Sequence, residues 1–218
     1  MKFSLENKII DINTVQINNG SFFFKEFKGN TTNLDFIINY FDSGKPTVKK
    51  KNSKPFDVNI GRIILNKISF KYKNYAAKDT IQGKSVNFDN VHLKNLSGIF
   101  EGLDTKNHLV KTHIKNLTFS ERSGFYLKNL TAITTIDSNA IELKDLLLVT
   151  NQSRLTNYYK MTFKTFKDVN KYIDNVRMKA VFKESHLTSR DVAFFAQELE
   201  NMKLDLDIDG QITGLVTN

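Results

Sequence analysis

Apolar and polar residues alternate along most of this chain, the pattern of strands that turn one face to a core. Over residues 9–24 the apolar positions are Ile10, Ile12, Val15, Ile17, Phe22 and Phe24. They predict two strands joined by a turn around Asn18-Asn19-Gly20. The period then changes. Leu34, Ile37, Ile38 and Phe41 recur at helical spacing, so residues 32–42 are expected as a short helix, capped by Thr32 or Asn33 and ended by Gly44. Residues 45–55 carry Pro46, Pro55 and a cluster of Lys49, Lys50, Lys51 and Lys54, which predicts a basic, solvated loop. From residue 56 to about 164 the pattern is almost continuously that of strands. Two helical patches follow, near 166–176 and 189–199, the second opened by Thr188 or Ser189 with Asp191 in its first turn. Leu204, Leu206 and Ile208 then alternate with Asp205, Asp207 and Asp209 as a closing strand. The expected organisation is a strand pair plus short helix over 1–44, the loop over 45–55, and a repeated-strand block over 56–218.

Within these strands a four-residue unit recurs: aliphatic, Lys or Asn, Asn or Asp or a similar residue, then apolar. It reads Ile17-Asn18-Asn19-Gly20, Leu65-Asn66-Lys67-Ile68, Leu93-Lys94-Asn95-Leu96, Ile114-Lys115-Asn116-Leu117, Leu127-Lys128-Asn129-Leu130 and Leu143-Lys144-Asp145-Leu146. Alternation places Val91 and Leu93 on one face. The adjacent polar pair Lys94-Asn95 shifts the phase by one, and a bulge there returns Leu96 to the same face. A sheet built from such strands has one apolar face and bends at similar heights. The units are irregularly spaced along the chain, which argues against a strict solenoid. The fold class expected is therefore mainly β, a curved, elongated sheet or groove with two or three short helices.

Composition adds little to this picture but removes several chemistries. Of 218 residues, 40% are hydrophobic and 25% charged, as in a folded domain. Cysteine is absent, which excludes a disulfide scaffold and cysteine-ligated metal. The net charge of +9 suits an anionic partner or simply a soluble surface. Purely apolar runs such as Leu146-Leu147-Leu148-Val149 are too short for a membrane-spanning helix, and residues 1–8 do not read as a signal peptide.

Candidate chemistry is equally sparse. Asp205-x-Asp207-x-Asp209-Gly210 resembles the start of a calcium loop, but Val216 stands where the twelfth-position carboxylate belongs, so an amphipathic strand is expected. His92, His108, His113 and His186 have no zinc-site spacing, and His92 and His113 fall at polar strand positions where exposure is expected. There is no phosphate-binding glycine loop or nucleophile elbow. No catalytic residue, metal or cofactor is assigned, and the chain is read as a non-enzyme. Phe70-Lys71-Tyr72-Lys73-Asn74-Tyr75 interleaves bases and aromatics as nucleic-acid platforms do, yet Phe70 and Tyr72 share a strand face, as core packing requires. No nucleic-acid partner is expected. Asn-x-Ser/Thr triplets begin at Asn30, Asn95, Asn116, Asn129 and Asn151; three of them fall inside the repeat, where strand chemistry accounts for them.

Four stretches give the chain a family resemblance: 15–22 leading into 33–41, Ile64–Tyr72, Leu117–Leu127 and Ser185–Leu199. With them it resembles the translocation and assembly module (TamB) proteins, within the AsmA-like group of Gram-negative envelope proteins. The resemblance implies an internal piece of the N-terminal half of such a protein, since the membrane anchor and the barrel-contacting C-terminal domain have no counterpart here. It also implies a periplasmic segment, anchored to the inner membrane through the rest of the protein. Such a segment carries phospholipid through an apolar β-groove and supports outer-membrane protein assembly. Its partners are then phospholipid acyl chains and, through the remainder of the protein, an outer-membrane barrel. The groove lining would be Ile63, Leu65, Ile68, Val91, Leu93, Leu96, Ile114, Leu117, Leu127, Leu130, Ile141, Leu143 and Leu146. The alternatives are a β module for structure or protein interaction without lipid cargo and, more weakly, a basic nucleic-acid-binding domain.

Overall fold

The computed structural model describes residues 2–4, 9–29, 31–35, 57–77, 85–105, 109–165, 168, 172–196 and 199–215. The protein is mainly β, and its strands form one open, curved sheet that does not close on itself. In chain order the strands are β1 (Lys2–Ser4), β2 (Ile9–Asn18), β3 (Ser21–Glu26), β4 (Asp57–Asn74), β5 (Asn90–Asp104), β6 (Val110–Glu121), β7 (Tyr126–Ile136), β8 (Ala140–Val149), β9 (Arg154–Thr162), β10 (Arg177–Thr188) and β11 (Asp205–Leu215). Their order across the sheet is β1-β2-β4-β5-β6-β7-β8-β9-β10-β11, with β3 also paired to β4. From β4 onward it is an antiparallel meander, and local hairpins of this kind need only short turns.

The hairpin expected around Asn18-Asn19-Gly20 does not form. β2 and β3 both pair in parallel with β4, and the register runs on unbroken from Asn18↔Asn66 to Ser21↔Ser69. Asn19 N–H donates to the Asn66 carbonyl at 2.9 Å, and Ser69 N–H donates to the Gly20 carbonyl at 2.9 Å. Asn-Gly suits a tight turn and a bulge alike. Here β4 offers hydrogen bonds on both sides of it, so the chain kinks and continues.

That kink is the rule of the sheet. Asn19, Lys67, Asn95, Asn116 and Asp145 all have φ between 50° and 54°, and each is the third residue of a repeat unit. The left-handed region disfavours most side chains but is tolerated by Asn and Asp, which explains the unit's preference for them. Register shifts fall at the same places: Leu65/Ile68, Lys94/Ser97, Ile114/Leu117 and Lys144/Leu146. The unit in β7 differs. Asn129 keeps negative φ, but the shift between Leu117/Phe119 takes up its extra residue. Two strands without the unit bulge as well, with Asn157 at φ 91° in β9 and Glu184 at φ 43° in β10. The bulges therefore line up from β2 to β10, across the strands, and bulges raise local twist and bend a sheet.

Within the expected helical patches the described residues form the turns α1 (Tyr172–Asn175) and α2 (Ser189–Val192); residues 166–167, 169–171 and 197–198 lie outside them. Thr188 caps α2, its hydroxyl accepting from Asp191 N–H at 3.4 Å. Near residue 32 the Thr32 hydroxyl accepts from Leu34 N–H at 3.2 Å, and Asp35 accepts from Thr32 N–H at 2.9 Å, a capping box. The remainder of the expected 32–42 helix, and the 45–55 loop, lie outside the described residues.

Candidate functional site

Residues directly opposite one another in a ladder point to the same side of the sheet, so the register defines one continuous apolar face. Across it run Ile63–Phe100–Ile114–Ala132, Leu117–Leu130–Leu148, and Ile136–Ile141–Met161–Met178. Phe70 pairs with Leu93, Tyr72 with Val91, Ile68 with Leu96, Phe119 with Leu127, and Thr134 with Leu143. Leu65 faces Gly98, and Leu146 faces Asn157 and then Phe182. All thirteen proposed lining positions are buried or half-buried, and none is exposed. The second and third residues of the unit go the other way: Asn66, Lys67, Lys94, Asn95, Lys144 and Asp145 are exposed. The bulge thus does to the phase what the repeat requires.

The face is larger than the repeat indicated. Parallel pairing aligns Val15 with Ile63, Ile17 with Leu65, Phe22 with Phe70 and Phe24 with Tyr72. The last two couples are stacked, with centroids 5.9 and 5.7 Å apart. At the opposite margin Leu206 lies beside Leu187 and Ile212 beside Ala180. A search keyed to the unit passes over the positions at this margin, because β9, β10 and β11 lack it. Their alternation was the available signal.

Burial is concentrated in the middle. Ile68, Ile114, Leu127, Ala132, Leu146, Ala180 and Phe182 are buried, whereas Ile17, Phe22 and Leu206 at the margins remain 44–45% exposed. Phe163 and Val176, which flank α1 in sequence, are buried, and Phe163 N–H donates to the Asn139 carbonyl at 2.9 Å. At the other end of the sheet the chain after α2 returns over it and forms a cover. Phe194 and Phe195 meet Phe125 edge-on at 5.6 and 5.0 Å, Phe195 also meets Phe88, and Val86 N–H donates to the Phe194 carbonyl at 2.7 Å.

Asp191 fixes this cover. Its carboxylate is buried and accepts from Gln152 N–H at 2.9 Å, from Ser153 N–H at 2.7 Å and from the Thr150 hydroxyl. These donors satisfy one carboxylate oxygen and tie α2 to the β8–β9 turn; the other oxygen has no partner among the described residues. Nearby, the buried Glu121 accepts from His92 N–H at 3.1 Å and Ser123 N–H at 2.6 Å, holding the β6–β7 turn on which Phe125 sits.

The opposite face is polar. Glu101 accepts from Arg62 and Lys115, each at 2.6 Å, and the two cations pull its carboxyl down to about 2. Burial, and then the hydrogen bond it donates to Glu142, push the Tyr158 hydroxyl up to about 12. An open cleft of 520 Å³ lies over the bulges, lined by Asn66, Lys67, Asn95, Ser97, Thr118, Ser120 and Tyr126.

The histidines do not converge. His92 and His113 are half-buried rather than exposed, and burial, with Lys71 and Lys94 nearby, lowers the His92 value. His108 lies outside the described residues. His186 contacts Asp205 and Asp207 with different ring nitrogens, which point apart and cannot share one ion. Among the described residues no group of three or more His, Cys, Asp or Glu side chains is placed to hold a metal. The motif at Asp205, Asp207 and Asp209 lies on strand β11.

Comparison with protein-family models, curated proteins and solved structures yields no match.

Proposed function

We propose that this chain binds lipid acyl chains along its apolar sheet face, which the line of bulges and the cover after α2 shape into a groove. It is a phospholipid-binding or phospholipid-conducting segment of an AsmA-like envelope protein that supports outer-membrane protein assembly. The observation that carries the reading is the uneven burial of one continuous face. Its centre is packed, while Ile17, Phe22, Leu206 and Ile212 at its margins keep 39–45% of their surface in water. Apolar side chains left in water at both margins of such a face support a binding surface. Burying each methylene is worth about 0.8 kcal/mol, so acyl chains need no polar contact to be held there.

The test is extraction and mass spectrometry of lipid from the purified chain, together with photo-crosslinking to an acyl-labelled phospholipid. Leu65→Asp and Leu96→Asp, on the half-buried part of the face, are expected to abolish crosslinking. Ile133→Asp, at an exposed position on the other face, is expected to leave it intact. Absence of both lipid and crosslinks in the unaltered chain would sink the reading.

A second reading, a protein-interaction β module, is favoured by the edge strand. Among the described residues β11 pairs with β10 alone and exposes Leu206 and Ile212. Such an edge can template an added strand. Crosslinks from β11 to an unfolded outer-membrane strand peptide, with no lipid extracted, would favour it.

A further inference from the structure

His186 lies on β10 just past the bulge at Glu184, where the ladders to both neighbours lose register. Its Nδ1 is 2.9 Å from Asp207 Oδ1, and its Nε2 is 2.9 Å from Asp205 Oδ1. Both carboxylates belong to β11. A neutral imidazole carries one N–H and one bare lone pair, so it can donate to only one of them and must set its lone pair against the other. Imidazolium donates to both. We infer that His186 is a proton-operated clamp, fastening edge strand β11 to the sheet when charged and loosening it when neutral.

The surroundings agree in sign. On β11 the facing charges are Asp205 and Asp207. On β9 the residue opposite His186 is Arg154, whose guanidinium is engaged by the Glu184 carbonyl at 3.1 Å. On β10 itself Lys183 and Glu184 are exposed with opposite charges, and Arg190 on α2 is exposed. The hydrogen bond to Asp207, then the charges of Asp205 and Asp207, raise the His186 value above the ordinary one, against the effect of burial. The sign of the linkage follows. A raised folded-state value contributes stability that is full below the unfolded value of about 6.5 and is lost as pH rises through the folded one. The position also explains why the clamp matters. The backbone ladder beside the bulge is interrupted, and on the far side of β11 no strand is paired among the described residues.

Hydrogen exchange of the β11 amides 205–208, corrected for intrinsic pH dependence, is the measurement. Between pH 5 and pH 8 opening is expected to increase a few-fold in the unaltered chain, a modest change because solvent screens these exposed charges. His186→Gln carries one donor nitrogen and cannot become charged, and is expected to show the looser, pH-independent exchange throughout. Asp207→Asn is expected to reduce the change and to lower the His186 titration midpoint seen by NMR. Exchange unaffected by pH in the unaltered chain, the same pH dependence in His186→Gln, or a His186 midpoint at or below about 6.5 would each overturn the inference.

Discussion

The backbone N–H of Lys67, the left-handed residue of the β4 bulge, donates to the hydroxyl of Ser97 on β5 at 2.9 Å. A bulge leaves an N–H without a ladder partner, and here the next strand supplies one. The same arrangement recurs two strands on, where Asn116 N–H approaches the Thr131 hydroxyl at 3.5 Å. Ser97 and Thr131 each follow the apolar residue that closes their own strand's unit. The repeat is therefore best written with a fifth, hydroxyl-bearing position. Ser97→Ala is expected to strand the Lys67 donor and cost about 1–2 kcal/mol in a denaturant titration.

Lys67 is the one long side chain among the five left-handed unit residues. Replacing it with Asn or Gly relieves backbone strain and is expected to raise stability by about 0.5–1 kcal/mol. The reverse change, Asn95→Val, puts a β-branched residue where φ is 54°. It is expected to cost about 1–3 kcal/mol, read by the same titration.

Gly61 sets how closely β2 approaches β4. A Cβ at this position would stand 2.7 Å from the Asn13 carbonyl oxygen, which is backbone and cannot swing away. Gly61→Ala is expected to part the parallel ladder locally. Amide exchange should rise for β2 residues 12–16 and not for β8, while overall stability falls by about 1–3 kcal/mol.

The Glu101 value is depressed to about 2 by its hydrogen bonds to Lys115 and Arg62. Its contribution is thus full above the unfolded carboxylate value of about 4.3 and fades as pH falls toward 2. Glu101→Gln is expected to flatten the acid limb of the stability curve in that window and to leave the curve near neutral pH with the same shape.

Burial grades the apolar face. Leu127 is buried, whereas Leu96, the closing apolar residue of another unit, is half-buried. Leu127→Ala is expected to cost about 3–4 kcal/mol, and Leu96→Ala about 1–2 kcal/mol, since the cavity term needs a closed environment. Equal losses would mean that the face is covered evenly.

The β class, the bulge within each unit and the sidedness of the unit were legible in the sequence, because they are local. A polar pair between two aliphatic residues has few ways to keep both of them on one face, and Asn or Asp at its third position tolerates the left-handed conformation that achieves it. The thirteen lining positions share one side of the sheet for the same reason. Partner choice was not legible. Asn19-Gly20 carries the same local signal whether the chain reverses or runs on, and only the parallel pairing with β4 decided that β2 and β3 form one line. The cover was hidden too. Phe194 and Phe195 look like the face of a longer helix, but the bonds from the β8–β9 turn to Asp191 and the packing on Phe125 shorten that helix to one turn and bring the chain back over the sheet. Contacts between residues distant in sequence determine which part of an apolar face is packed and which is left open, and no local pattern contains them.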